Sequence, residues 1–200
     1  PAHWGLAPHS PGVAAWADTD PALRALYVHY MALYAALVDN VDQNIGRLVA
    51  HLAAMGELDN TLVIVTSDNG ANGIGGRDGA ANNLTKRLTG SEDPQKALAM
   101  LADGTLGGPA SWPVYPLGWT DVSSTPFRLY KTTTMNGGIR VPLVAHWPAA
   151  FGGGGIREQW AHVTDILPTV LEATGVPFPA QFAGGVPHPP DGASFASILR

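Results

Sequence analysis

The feature that most constrains the fold is the stretch 61-TLVIVTSDNGANGIGG-76, where an unbroken β-branched and apolar run, Thr61 to Thr66, stops at Ser67-Asp68-Asn69-Gly70. A run without alternation predicts a strand covered on both faces, as in parallel sheets flanked by helices. A long amphipathic helix precedes it. Asp20 is a good N-cap and Pro21 fits the first helical position, where its missing N–H costs nothing. From Leu23 to Leu52 apolar residues recur at three- and four-residue steps, and Gly56 marks a kink or an end. Helix, short connection and buried strand form the repeating unit of an α/β sheet.

A second apolar run, Val141 to Trp147, predicts another buried strand. Residues 1–19 read as an irregular approach segment. Residues 71–126 show little periodicity apart from a short helix over Pro94 to Leu101, and so long an insertion points to a functional loop system. The glycines at 152–155 make a turn, a helix runs from about Asp165 to Thr174 with Pro168 in its first turn, and Ala193 to Leu199 starts a last short helix.

Composition narrows the function. Hydrophobic residues make up 46% and charged residues 14%, a globular balance far from that of disordered chains. The net charge of −5 offers no basic footprint for nucleic acid. With no cysteine, the chain can form no disulfide, zinc–thiolate site or cysteine nucleophile. No apolar run reaches the roughly 20 residues that span a bilayer. The chain starts on Pro-Ala-His-Trp rather than Met, which reads as a segment of a longer protein.

Ligands of open α/β sheets gather beyond the carboxyl ends of the strands, where Asp68 and Asn69 fall. An Asp carboxylate beside an Asn carbonyl offers two hard oxygen ligands of the type that Ca²⁺ or Mg²⁺ takes, and Gly70 allows a sharp turn after them. The same Asp-Asn-Gly is also read as a plain turn closed by Asx hydrogen bonds. Lys131, on a loop ahead of Gly137-Gly138 and the second strand, could hold an anion or lie solvated on the surface. His9 is an acid–base candidate or a surface histidine of a Pro-rich segment. His29 and His51 read as helical residues, His146 and His162 could line a cleft, and Asp39 and Asp42 read as the solvated helix face. No Ser-His-Asp order and no phosphate loop is present.

Taken in order, these features resemble the sulfatase family. The string 34-YAALVDNVDQNIGRLVAHLAAMGELDNTLVIVTSDNG-70 is similar to that family's helix leading through L-D-N-T to a strand ending in S-D-N-G. Thr125-Pro126-Phe127-Arg128 with Lys131, then Gly137-Gly138-Ile139-Arg140-Val141-Pro142-Leu143 and Trp147-Pro148, resembles its lysine loop and following strand. His162-Val163-Thr164-Asp165-Ile166-Leu167-Pro168-Thr169 resembles a helix start of the family. Tyr115-Pro116-Leu117-Gly118-Trp119 points to the bacterial arylsulfatase branch. The match covers nearly the whole chain.

The resemblance implies an α/β/α sandwich of the alkaline-phosphatase superfamily with a mostly parallel sheet, incomplete here, so that residues 1–200 form part of a catalytic domain. It implies hydrolysis of a small sulfate monoester, with an aryl ester as the expected substrate, and Ca²⁺ ahead of Mg²⁺ at the strand ends. On this mapping Asp68 and Asn69 match a pair of metal ligands and Lys131 matches the lysine that contacts sulfate. Arg140 and the two glycines before it shape the loop. The formylglycine nucleophile of the family, made in a C/S-x-P-x-R motif near the N-terminus, is expected upstream, and this chain has no Cys. The first metal-ligand pair and the catalytic histidine are also expected upstream, with His9 in the approach to the helix. Met135-Asn136 lacks the acidic residue common before the glycine pair. A phosphoester hydrolase of the same superfamily, which typically continues Asp-His rather than Asp68-Asn69, and a non-catalytic binding module are the competing readings. Trp112, Tyr115 and Trp119 could stack on a leaving group or pack internally.

Overall fold

Helix α1 spans Pro21–Ala54 in the computed structural model, which describes residues 5–6, 8–152 and 154–200. Residues 1–4 and 7 of the predicted approach segment, and Gly153 of the predicted glycine turn, lie outside the described residues. The start of α1 follows from its sequence: the Asp20 Oδ1 accepts from the amides of Ala22 at 2.8 Å and Leu23 at 3.4 Å. Its end is a Schellman closure, with Gly56 at φ 74° donating to Ala53 O and Glu57 donating to Leu52 O, both at 3.0 Å. No helix among the described residues is long and apolar enough to cross a membrane.

The chain divides into two compact units. One holds the chain through Gly46 together with Thr66–Pro142; the other holds Arg47–Val65 and Leu143–Arg200. The first unit owns the core, where Leu26 and Tyr30 of α1 pack with Ala81, Ala97 and Leu106. Three of those five come from the segment 71–126, so that segment is core as well as loop. It contains α2 (Asn83–Thr89), α3 (Pro94–Ala102) and α4 (Leu117–Ser124), of which only α3 is predicted. Helix α2 is fixed at its ends by an Asn82 side chain that accepts from Thr85 N and by Gly90 in the left-handed region. Buried polar groups hold the rest. The Glu92 carboxylate accepts from Ala81 N at 2.5 Å and Asn82 N at 3.2 Å. The Lys86 ammonium donates to the carbonyls of Gly75 and Gly79, and burial pulls its pKa below the ordinary lysine value against the opposing charges of Asp78 and Glu92. Ser10 binds Asp121 of α4 through both its amide, at 2.8 Å, and its hydroxyl, at 2.7 Å.

The apolar stripe of α1 is only half used. Leu26 and Tyr30 are buried, whereas Leu37, Val38, Val41 and Leu48 are each more than half exposed.

After α5 (Asn136–Ile139) comes β2 (Leu143–His146), the hydrogen-bonded neighbour of β1 (Val63–Thr66). The two strands are the ones predicted, and they do not behave as predicted. Neither contains a buried residue, and Val144 is 60% exposed. A two-stranded sheet cannot cover both of its own faces, whatever its composition. Their direction also departs from expectation. Gly70 N donates to Gly138 O, Thr66 Oγ1 to Pro142 O and, in the second unit, Ala149 N to Asp59 O, so one side rises along the chain as the other falls. This pair is antiparallel, because an unbroken apolar run reports a strand meant for covering and carries no information on direction.

The second unit ends in α6 (Ile166–Thr174) and α7 (Ala196–Leu199). One carboxylate organises it. Asp165 accepts from His162 N at 2.7 Å and from Ala193 N at 2.9 Å, tying the start of α6 to the tail. Thr169, fully buried, donates to Asp165 O and accepts from Phe195 N. The two backbone donors hold the Asp165 carboxyl below its usual range. A lowered folded-state pKa stabilises the fold at and above the ordinary carboxylate value of about 3.9, and the contribution disappears as pH falls through the folded value. The Ala193 amide resonance is therefore expected to titrate with a midpoint below that of an ordinary Asp, and Asp165→Asn should remove the titration. An Ala193 amide that is insensitive to acid in the unsubstituted protein would refute this role.

Candidate functional site

The turn that follows β1 is built by its own side chains. Thr66 Oγ1 donates to Pro142 O at 3.0 Å, Ser67 Oγ to Asn69 O at 2.8 Å, and Asn69 Nδ2 to Gly70 O at 2.8 Å. Both readings of Asp-Asn-Gly hold at once. The amide N–H of Asn69 serves the turn, while its Oδ1 takes no hydrogen bond from a described residue. Asp68 is exposed, and no described donor reaches its carboxylate. Oxygens without described donors on two adjacent residues are of the chemical type a hard cation takes as part of its ligand set, though Ca²⁺ takes six to eight. Among the described residues no group of three or more His, Cys, Asp or Glu gathers to complete such a set.

Lys131 lies against this turn. Its backbone N–H donates to Ala71 O at 2.8 Å, and Gly70 N donates to Gly138 O at 2.9 Å, so the lysine loop clamps the strand-end turn from two sides. Ala71 is three residues beyond Asp68, which keeps the α-carbons of Asp68 and Lys131 within about 15 Å. The Lys131 side chain is half-buried and makes no hydrogen bond or ion pair with a described residue. Glycines make the approach possible. A Cβ on Gly70 would lie 1.8 Å from Gly137 O, and one on Gly137 would lie 1.8 Å from Leu129 O. Gly137→Ala is therefore expected to destabilise the unit by about 3 kcal/mol, the upper range for forced overpacking. Denaturant unfolding checks this; a stability within about 0.5 kcal/mol of the unsubstituted protein would contradict the clamp.

The loop is also strained. Leu129 at φ 59° and Thr132 at φ 77° bracket Tyr130-Lys131, and a β-branched residue there is an outlier. Strain of this kind, on the order of 1–3 kcal/mol per residue, persists where the surroundings over-determine the backbone and concentrates at functional sites. Nothing in the residue types Leu and Thr signals it in the sequence.

The other candidates hold backbone, pack internally or lie exposed. His9 is exposed and makes no described hydrogen bond. His29 Nε2 meets Leu106 O at 3.2 Å, and the ring of His162 caps the turn before α6 through Thr164, so both hold backbone in place. His51 and His146 are exposed. Asp39 accepts from Gln43 on the solvated face of α1, and Asp42 is exposed beside it. Arg140 lies over the Phe127 ring at 4.9 Å from its centroid, within the loop. Of the aromatics, Trp119 donates to Tyr27 O and stacks at a tilt on Trp16, while Tyr115 meets Tyr34 edge-on at 5.1 Å. These two are packing residues; Trp112 is 54% exposed.

The chain is thus of mixed α/β class, with oxygens free of described donors at a strand end and the lysine loop bonded to the turn that follows. A model of the sulfatase family matches residues 4–176, and the chain belongs to that family. It is 34% identical over 170 residues to an uncharacterized sulfatase of Schizosaccharomyces pombe, covering 85% of this chain and 29% of the relative. It is 29% identical over 163 residues to an arylsulfatase of Klebsiella aerogenes, covering 80% and 33%. It is 25% identical over 180 residues to N-acetylgalactosamine-6-sulfatase of Mus musculus, covering 90% and 25%. The chain thus spans about a quarter to a third of the length of these relatives.

Proposed function

We propose that this chain is part of a sulfatase catalytic domain which, in the intact protein, hydrolyses sulfate monoesters, with Asp68 and Asn69 as two ligands of a Ca²⁺ site and Lys131 as a sulfate-binding residue. The observation that carries this reading is the clamp: Lys131 N to Ala71 O and Gly70 N to Gly138 O hold the lysine loop against the strand-end turn. The remaining strands and helices of an α/β/α sandwich would cover the open faces of β1 and β2 and the exposed stripe of α1.

The roles follow from charge. Asp68 and Asn69 would hold the cation, which would supply Lewis acidity toward a sulfate oxygen. Lys131 binds another sulfate oxygen through its ammonium and stabilises the negative charge that redistributes as the ester bond breaks. Because the backbone at Lys131 is already tied to Ala71, little reorganisation accompanies that contact. Asn69 supports a sulfate ester over a phosphate ester, and the similarity to the Klebsiella arylsulfatase supports an aryl leaving group. The nucleophile lies outside this chain on this reading: there is no Cys, and the one Ser-x-Pro-x-Arg string, Ser124 to Arg128, runs into the lysine loop with the Ser124 hydroxyl buried, so the 200 residues alone are expected to be inactive. The test is turnover of 4-nitrophenyl sulfate against 4-nitrophenyl phosphate by the intact protein. Preference for the sulfate supports the reading, and preference for the phosphate contradicts it.

A further inference from the structure

On the flank of the lysine loop, a groove of about 460 Å³ is lined by Pro126, Phe127, Arg128, Thr134, Met135, Asn136 and Arg140. Its charge is unbalanced. Although the chain carries a net charge of −5, no acidic residue occurs between Asp121 and Glu158, and Arg128, Lys131 and Arg140 all fall in that interval. The described ion pairs involve Arg77, Lys96 and Arg200, and none involves these three cations. Arg140 Cζ lies over the Phe127 ring, 4.9 Å from its centroid, and no described acceptor takes its N–H groups. Arg128 is exposed, and its own carbonyl is locked by Gly137 N at 3.0 Å. Thr134 and Asn136 add uncharged donors to the same lining. A guanidinium positioned this way matches a carboxylate or sulfate through paired hydrogen bonds. Arg128 and Lys131 are three residues apart, so their α-carbons lie within about 11 Å.

We propose that this groove is a second oxyanion subsite, with Arg128 and Arg140 as its binding residues, and that the substrates it selects are sulfate esters whose leaving group carries a further carboxylate or sulfate. The proposal rests on the sulfatase reading for the term "substrate", but the groove itself can be tested without turnover. Calorimetric titration of the intact protein with benzene-1,3-disulfonate and with benzenesulfonate, neither of which is an ester, compares two negative groups with one. The disulfonate should bind about 10-fold more tightly, as expected for one added charge-assisted contact. Arg128→Gln, at an exposed side chain without described partners, and Arg140→Gln should each bring the two probes toward parity while leaving benzenesulfonate unchanged. Lys131→Ala should weaken both probes alike. Equal affinity for the two probes in the unsubstituted protein, or a disulfonate preference that survives both arginine substitutions, overturns the proposal. If Lys131→Ala changes neither probe while the arginine variants behave as stated, the groove stands and the role given to Lys131 fails.

Discussion

Asp68→Ala in the intact protein is expected to remove several kcal/mol of transition-state stabilisation, about 10³-fold or more in kcat/KM. Asp68 is exposed at the end of β1 and no described donor reaches its carboxylate, so the fold gains nothing from it that the structure displays. The turn is closed instead by Thr66, Ser67 and Asn69. Removal of the Asp68 side chain should therefore leave stability within about 0.5 kcal/mol, as for surface positions without special contacts. A large loss of activity with unchanged unfolding marks a ligand; a large loss of stability marks a structural carboxylate. Titrating Ca²⁺ into both proteins separates the two further, because a missing ligand raises the cation concentration needed for activity and a missing structural group does not.

Lys131→Ala is expected to cost about 2–4 kcal/mol of transition-state stabilisation, the range for removing one preorganised charge-stabilising donor. The backbone N–H of Lys131 makes the bond to Ala71 and survives the substitution. The strained residues Leu129 and Thr132 likewise keep their side chains, so the loop should hold its path. The effect should appear in kcat as well as KM, since the ammonium serves charge that redistributes as the bond breaks. A rise in KM alone would reduce Lys131 to a ground-state contact.

Much of this arrangement was legible in local residue chemistry. Asp20-Pro21 predicts the start of α1 and Gly56 its end, and both are where capping chemistry puts them. Pro94 predicts α3 for the same reason. Helix α2 was missed although Asn82 and Gly90 carry the same signals, because so short a helix has no apolar period to draw attention to it. The strands were legible as strands, but their covering was not: Val144 is apolar and exposed, and composition cannot say whether the chain itself supplies the cover. The site was legible in part. Asp68-Asn69 at a strand end and Lys131 before a glycine pair are visible in the sequence; the two backbone bonds that join their segments link residues 71 with 131 and 70 with 138 and are not. Nor could the positive φ values at Leu129 and Thr132 be read, since neither residue type favours them.

The central claim is that the strand-end oxygens and the clamped lysine act on one reacting group. A double-substitution cycle on kcat/KM in the intact protein, Asp68→Ala and Lys131→Ala alone and combined, tests it most directly. Groups that act as a unit lose most of their effect together, so the double variant should be scarcely slower than Asp68→Ala alone. Losses that multiply as though the two residues were independent would contradict a shared site.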